Sequence, residues 1–148
     1  MSTALRLVLI LLLIGAAPAQ AGSRLVELDL GPHRIAAEIA DTPQKQARGL
    51  MHRRALPEHR GMLFVHGDDR MICMWMKHTP LPLSVAFIDA AGDILNIEDM
   101  QPNSTDLHCA SSPARFALEM RLGWFRDHGV RSGDAVRGLE RLERPHGD

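Results

Sequence analysis

Residues 71–78 read MICMWMKH and concentrate side chains that are capable of metal or ligand chemistry. In a strand, alternate side chains point to opposite faces, so Cys73, Trp75 and Lys77 would share one face. His78 and the intervening methionines would share the other. Thiol, thioether and imidazole groups are soft ligands that suit cuprous copper, so copper binding is one hypothesis for this segment. The alternative is core packing, because methionine fills irregular gaps and packs well against tryptophan.

A small-ligand site beside Trp75 is the second hypothesis. The indole could stack on a sugar ring or on an apolar ligand face, while Lys77 and Arg115 could hold a carboxylate through charge-assisted hydrogen bonds. The polar residues that could converge there are Lys77, His78, Glu98, Asp106, His108, Arg115 and Glu119. A few polar groups aimed at one volume give a site its specificity. We therefore expect a concavity beside the indole to be approached by at least three of Lys77, His78, Glu98, Arg115 and Glu119.

Other interpretations of these residues stay open. Arg115 and Glu119 are four positions apart and could form an exposed same-face pair on a strand, and Trp75 could be a core anchor. A hydrolase is also possible, since Glu98 and Glu119 could work as an acid and base on a glycoside if their carboxyl groups lie about 5 to 10 Å apart. His78 is a third candidate for that reaction.

Motifs that would define a reaction are missing from the sequence. No serine lies in a G-x-S-x-G elbow, and neither H-E-x-x-H, C-x-x-C nor a phosphate-binding glycine loop occurs. Catalytic residues are therefore not assigned, and neither a metal nor a cofactor is predicted.

The chain has two cysteines, Cys73 and Cys109. An even number of cysteines in an exported protein favours a disulfide, and closing a loop of this size would contribute roughly 4 kcal/mol of stability. Such a bridge would pin the loop 101–113 onto the Trp75 strand. Two separate buried thiols are the alternative.

The first residues have the three parts of a secretory signal peptide: the basic Arg6, an apolar run over residues 7–14 and the exit Ala19-Gln20-Ala21. The run is shorter than the roughly 20 residues that a permanent membrane anchor needs. We predict a signal peptide over residues 1–21 and a mature chain starting near Gly22. The protein would then be periplasmic or secreted, with no stable membrane insertion after signal removal.

Charge and length narrow the range of partners. The 148 residues include 17 Lys and Arg against 18 Asp and Glu, a formal net charge of −1. Nucleic-acid binding needs clustered basic residues that neutralise phosphates, so no nucleic-acid partner is predicted. Residues 22–148 are predicted to form one domain. The expected partner is a small ligand or another protein of the cell envelope.

Alternating apolar and polar residues predict a mainly β fold. A strand over 24–30 and a second over 35–39 form a hairpin around Gly31-Pro32, and Thr42-Pro43 starts a helix over residues 43–52. A turn at Asp68-Asp69 separates two of the later strands. Those strands are predicted at 62–65, 70–77, 83–89, 94–100, 115–121 and 135–142, with a possible short helix over 123–128. This pattern is typical of a two-sheet sandwich or a distorted barrel.

The order of several short motifs resembles a known family. These motifs are ARGLM (47–51), GMLF (61–64), MWMKHTPLPL (74–83), AFID (86–89), ALE (117–119) and SGD (132–134). They resemble the bacterial and archaeal domain-of-unknown-function family 192. The resemblance implies an exported, mainly β single domain of the two-sheet type, and it implies no activity. Family members usually have Asn at the position of His78 and Asp at the position of Ser84.

These observations lead to one expected function and two alternatives. The protein is expected to be an exported binding or accessory module that recognises a small ligand or an envelope partner on the Trp75 side. The first alternative is a hydrolase that uses Glu98, Glu119 or His78. The second is a copper-binding protein.

Overall fold

The computed structural model describes residues 23–143. The predicted signal peptide, residues 1–21, lies outside this range. The described part contains nine strands, two α-helices and a 3-10 helix: β1 Leu25–Leu30, β2 His33–Ala40, α1 Pro43–Arg48, β3 Arg60–Arg70, β4 Cys73–Met74, β5 Leu83–Ile88, β6 Ile94–Met100, β7 His108–Cys109, β8 Ala114–Arg121, α2 Trp124–Asp127, β9 Val136–Arg137 and the 3-10 helix Leu139–Glu143.

Seven of these strands form one curled sheet in the order β6-β5-β8-β3-β2-β1-β9, and β4 pairs with β7 in a small second sheet. All neighbours are antiparallel except β2 and β3, which run parallel and are connected through α1. A bridge between Asp93 and Ala135 joins the two edges of the large sheet at one end. The prediction of a mainly β fold, either a two-sheet sandwich or a distorted barrel, is confirmed, and the form observed is a curled seven-stranded sheet with a small second sheet.

The central strands are buried on both faces. One face of the large sheet packs around residues such as Leu63, Leu118 and Trp124. The opposite face, which includes Phe64 and Val85, is covered by the segment from α1 to Leu50 and by the residues around β4. Strand β5 is buried at all six positions, because it lies between β6 and β8 and is covered on both sides.

The first helix is shorter than the sequence predicts. Thr42 caps the start of this helix, as the Thr42-Pro43 pair predicts: its side chain accepts a hydrogen bond from the Lys45 amide at 3.3 Å. The helix ends at Arg48 rather than near residue 52, because Gly49 adopts a left-handed φ of 46°. The backbone amide of Gly49 still donates to the carbonyl of Lys45, and this hydrogen bond closes the last turn of the helix. The second helix, predicted within 123–128, is confirmed as α2.

The prediction of a turn at Asp68-Asp69 is wrong. Strand β3 continues through both residues to Arg70, which pairs with Ala114 of β8 after a bulge. The acidic residues stay exposed at this end of the strand, so the charges that suggested a turn are solvated. Of the strand predicted at 70–77, Arg70 is the end of β3 and Cys73–Met74 form the separate short strand β4. The last predicted strand is reduced to Val136–Arg137 before the 3-10 helix.

Candidate functional site

Glu119 is the most unusual side chain on the covered face of the sheet. It lies in β8 directly between Met62 of β3 and Val85 of β5, and it is 3% exposed. Within residues 23–143, no side chain or backbone group forms a hydrogen bond or an ion pair with its carboxyl group. Burial alone raises the pKa of this group to about 8. A carboxyl group without a nearby cation keeps its proton when it is removed from water. At neutral pH this group is therefore an uncharged acid with one O–H to donate.

The carboxyl group of Glu119 borders a cavity of about 160 Å³, which we call the Glu119 cavity. Four regions form its wall: the end of α1 and the turn after it, β3, the residues around β4, and β8. Its apolar lining includes Ala47, Leu50, Met51, Phe64, Ile72, Met74 and Trp75. Its polar lining includes Gln46, Arg48, His66, Thr79 and Glu119.

The helix α1 is held over the sheet by Gln46. Its side-chain amide donates to the carbonyl of Val65 at 2.8 Å and to that of Ala40 at 3.3 Å. Both amide N–H groups are thus used, and only the amide oxygen remains to accept a hydrogen bond from elsewhere. At Gly49 a Cβ atom would stand 3.1 Å from the ring of Phe64, so glycine also lets the turn approach β3 closely.

The small sheet carries the other wall of the cavity. Cys73 and Cys109 are direct cross-strand partners, and their sulfur atoms are 2.08 Å apart, at disulfide-bond distance. The bridge would tie β4, and with it Trp75, to the loop around β7. Trp75 is 46% exposed and lines the cavity, so it lies at the mouth and is not a core anchor. The fully buried tryptophan of the core is Trp124.

His66 lines the cavity and was not singled out by the sequence. Burial is the largest cause that lowers its pKa, the cation of Arg70 adds to this, and Asp68 acts in the opposite direction. Burial therefore disfavours the protonated imidazole. No sequence pattern distinguishes His66 or Arg48 as lining residues, because their position depends on how α1 lies across β3.

Three of the sequence-predicted ligand residues are brought together. Trp75 and Glu119 both line the cavity, and the ammonium group of Lys77 lies 5.3 Å from the centre of the Trp75 ring. That distance is within the range of a cation–π contact. Of the five polar residues expected at one concavity, only Glu119 is part of this lining.

The other predicted residues lie elsewhere. His78 has a left-handed φ of 55° and its ring stacks on His52 with 5.7 Å between the ring centres. Arg115 forms an ion pair with Asp69 at 2.8 Å instead of pairing with Glu119. Asp106 precedes β7 and His108 belongs to it.

Glu98 belongs to β6 and accepts a hydrogen bond from the Asn96 amide at 3.3 Å. Val85 is the cross-strand partner of both Glu98 and Glu119. The two glutamates therefore share one face, and two strand spacings put their Cα atoms about 10 Å apart. Glu98 is not among the cavity-lining residues.

The geometry around the sulfur-rich segment bears on copper binding. Within residues 23–143, no three His, Cys, Asp or Glu side chains come together in an arrangement that could hold a metal ion. The sulfur of Cys73 is at bonding distance from Cys109 and is not a free thiolate, the form of cysteine that ligates metals.

Two solved structures are similar to this chain. A protein from Sinorhizobium meliloti 1021, provisionally described as a transcription regulator, is 36% identical and has a TM-score of 0.72, with 77% of this chain and 92% of that chain covered. A protein of unknown function from Novosphingobium aromaticivorans DSM 12444 is 28% identical and has a TM-score of 0.74, with 82% of this chain and 91% of that chain covered. Both share the fold. No curated protein matches the sequence.

The family model for DUF192, described as "Uncharacterized ACR", matches residues 26–138. This range contains all the motifs on which the resemblance was based, and it includes every wall of the Glu119 cavity. The match covers most of the chain. This chain therefore belongs to the domain-of-unknown-function family 192.

Proposed function

We propose that this protein is an exported small-ligand-binding module whose ligand occupies the Glu119 cavity. The observation that carries the proposal is the carboxyl group of Glu119, which is buried, has no described protein partner and borders the cavity. Polar groups in protein interiors are normally paired. The oxygens of Glu119 are not fully enclosed, because in residues 23–143 the fully enclosed side-chain N or O atom without a hydrogen bond is Nε1 of Trp124, so a partner can reach them from the cavity. A bound ligand would supply the missing partner.

The size of the cavity limits the ligand. A cavity of about 150 Å³ lined by apolar side chains can hold benzene, and the Glu119 cavity measures about 160 Å³. A ligand of one ring, or an aliphatic chain of similar bulk, is therefore the expected size. The exposed Trp75 at the mouth offers a flat surface for a part of the ligand that extends outward.

Export is part of the proposal. It rests on the predicted signal peptide over residues 1–21, and the cysteine pair at disulfide distance is compatible with an oxidising compartment. Within residues 23–143, no helix has both the length and the apolar composition to cross a bilayer. Cell fractionation with N-terminal sequencing should find a processed chain outside the cytoplasm that starts near Gly22.

The organisation of the mature chain as a single domain over residues 22–148 stays a prediction.

Transcription regulation is the description of the Sinorhizobium meliloti protein. In this chain 17 basic residues are balanced by 18 acidic ones, so there is no excess of positive charge to bind nucleic-acid phosphates. We therefore favour a small ligand over a nucleic acid as the partner.

A hydrolase is the second candidate, and one observation favours it. Glu119 and Glu98 flank Val85 on the same face of the sheet, and an inverting glycosidase needs carboxyl groups about 6.5–9.5 Å apart. A buried carboxyl group with a raised pKa also has the property of a general acid. Release of a chromophore from aryl glycosides would support this reaction only if Glu98→Gln and Glu119→Gln each abolish it.

The binding proposal is tested by a thermal-shift screen of the mature protein against small acids, amides, amines and sugars. A ligand that binds only the folded state raises the apparent melting temperature. Ala47 is exposed and lines the cavity, so Ala47→Phe would place a ring at its outer edge, whereas Ala55→Phe adds the same ring at an exposed position outside the lining. We expect a hit to lose its effect in the first variant and to keep it in the second. Equal shifts in both variants would contradict the proposal.

A further inference from the structure

We propose that the ligand of the Glu119 cavity is a small organic acid, bound as an anion with an apolar body. This inference rests on the proposed function and names the chemistry of its ligand. An oxygen of the ligand would accept a hydrogen bond from the protonated carboxyl group of Glu119. The negative charge of the ligand would be favoured by cations at the mouth of the cavity.

The inner wall of the cavity selects an apolar body. Leu50, Phe64 and Ile72 all line it and are each less than 5% exposed. A polar group placed against these side chains would lose its hydrogen bonds to water without replacement. The part of the ligand that contacts them is therefore a hydrocarbon, with polar atoms confined to the side of Glu119 and to the mouth.

Glu119 selects an acceptor rather than a cation. With no described ion-pair or hydrogen-bond partner, its carboxyl group is neutral below a pKa of about 8 and presents an O–H. A ligand carbonyl or carboxylate oxygen can accept this proton without any change of ionisation. A ligand ammonium group would instead require Glu119 to lose its proton inside an apolar wall, which is the form that burial disfavours.

The charges around the cavity agree with an anion. Arg48 lines the cavity and pairs with no carboxylate of residues 23–143, and Lys77 lies against Trp75 at the mouth. Burial lowers the pKa of His66 on β3 and so disfavours a positive charge at this position. On α1, Lys45 is paired with Asp41, and β5 brings no charged residue to this face. Among the lining residues, all within 46–119, Glu119 is the one acidic side chain, and Glu98 of β6 lies outside the lining.

Three compounds of nearly equal size separate the possibilities: benzoate, benzamide and benzylamine. Their binding to the mature protein would be measured by isothermal titration calorimetry at pH 6.5. We expect benzoate to bind at least tenfold more tightly than benzylamine, with benzamide in between because it offers the acceptor without the charge. Arg48→Gln should weaken benzoate binding severalfold and leave benzamide unchanged. The matched control Arg54→Gln removes an exposed cation outside the lining and should change neither.

The pH dependence tests the hydrogen bond from Glu119. Above the pKa of about 8 the carboxyl group loses the proton that it donates, and benzoate has no N–H or O–H to donate in return, so benzoate affinity should fall steeply, by up to tenfold per pH unit. Glu119→Gln keeps an N–H donor and should bind benzoate with an affinity that no longer falls in this way between pH 6.5 and 9.5. Circular dichroism would establish that this variant is folded, and the Arg48 variant gives an independent test if it is not.

Two results would overturn the inference, and they separate it from the proposed function. If benzylamine binds as tightly as benzoate or more tightly, and Ala47→Phe abolishes its binding, the cavity is a ligand site for a different chemical class. If none of the three compounds binds, the organic-acid class is wrong, while the wider thermal-shift screen decides whether the cavity binds any small molecule.

Discussion

Replacing Glu119 with glutamine should remove a loss of stability that the wild-type protein shows as the pH rises. The carboxyl group has an ordinary pKa of 4.5, and burial raises it to about 8 in the folded chain. Between these values the unfolded chain has released the proton and the folded chain still holds it. Rising pH therefore favours the unfolded state over this interval, because the unfolded state binds fewer protons.

The magnitude follows from the width of that interval. Each pH unit between the two pKa values lowers the free energy of unfolding by about 1.4 kcal/mol. Over the interval from 4.5 to about 8 the total is about 5 kcal/mol. Glutamine is neutral at every pH and has a similar shape. The variant should match the wild type near pH 4.5 and exceed its stability by an amount that increases to about 5 kcal/mol near pH 8.

Urea denaturation followed by tryptophan fluorescence at half-unit pH steps would measure this difference. Other carboxyl groups titrate identically in both proteins and cancel from the comparison. Glu27→Gln on β1 is a suitable control, since Glu27 is exposed and its variant should run parallel to the wild type. If the wild-type and Glu119→Gln curves stay parallel from pH 5 to 8, the carboxyl group is not protonated in the folded state and the reasoning fails.

Three further predictions concern the framework around the cavity. Gly61→Ala should lower the free energy of unfolding by about 2 kcal/mol or more, measured by urea titration, because its Cβ would lie 2.6 Å from a backbone carbonyl oxygen of β8; an unchanged midpoint would refute this close contact. Replacing Cys73 and Cys109 together with serine should cost about 4 kcal/mol, since the bridge closes a loop with a sequence separation of 36; equal stability of wild type and variant in the absence of reductant would show that no bridge forms. Arg53→Gln should cost about 1 kcal/mol at pH 7, because the half-exposed guanidinium donates two hydrogen bonds to the Glu38 carboxylate and holds its pKa below the usual value. The loss should shrink as the pH falls through the lowered pKa of Glu38, so a loss that is independent of pH would contradict the ion pair.

Local patterns predicted those parts of the fold that depend on neighbouring residues. The alternation of Val26, Leu28 and Leu30 identifies β1, because one face of a half-buried strand must be apolar over its whole length. Thr42 and Pro43 identify the start of α1 for an equally local reason, since capping and a preset φ act within one turn. The family could be recognised because its short motifs follow one another along the chain.

The course of β3 past Asp68 and Asp69 could not be predicted in this way. Two adjacent aspartates favour a turn when only their neighbours are considered. In the folded protein this end of β3 is paired with β8, and Asp69 forms an ion pair with Arg115, which is 46 positions away in the chain. A contact over that distance leaves no local signal.

The candidate site shows the same division between sequence and tertiary structure. The sequence by itself raised Cys73 and Cys109 as a pair, and from their residue types it singled out six candidate ligand residues: Trp75, Lys77, His78, Glu98, Arg115 and Glu119. It did not distinguish Glu119 from Glu98, since both glutamates lie in alternating strands. Only the tertiary structure decided that α1 and the β4 segment cover one of them and leave it without a described partner. The protonation of a carboxyl group depends on how much water surrounds it, and residues distant in the sequence determine that.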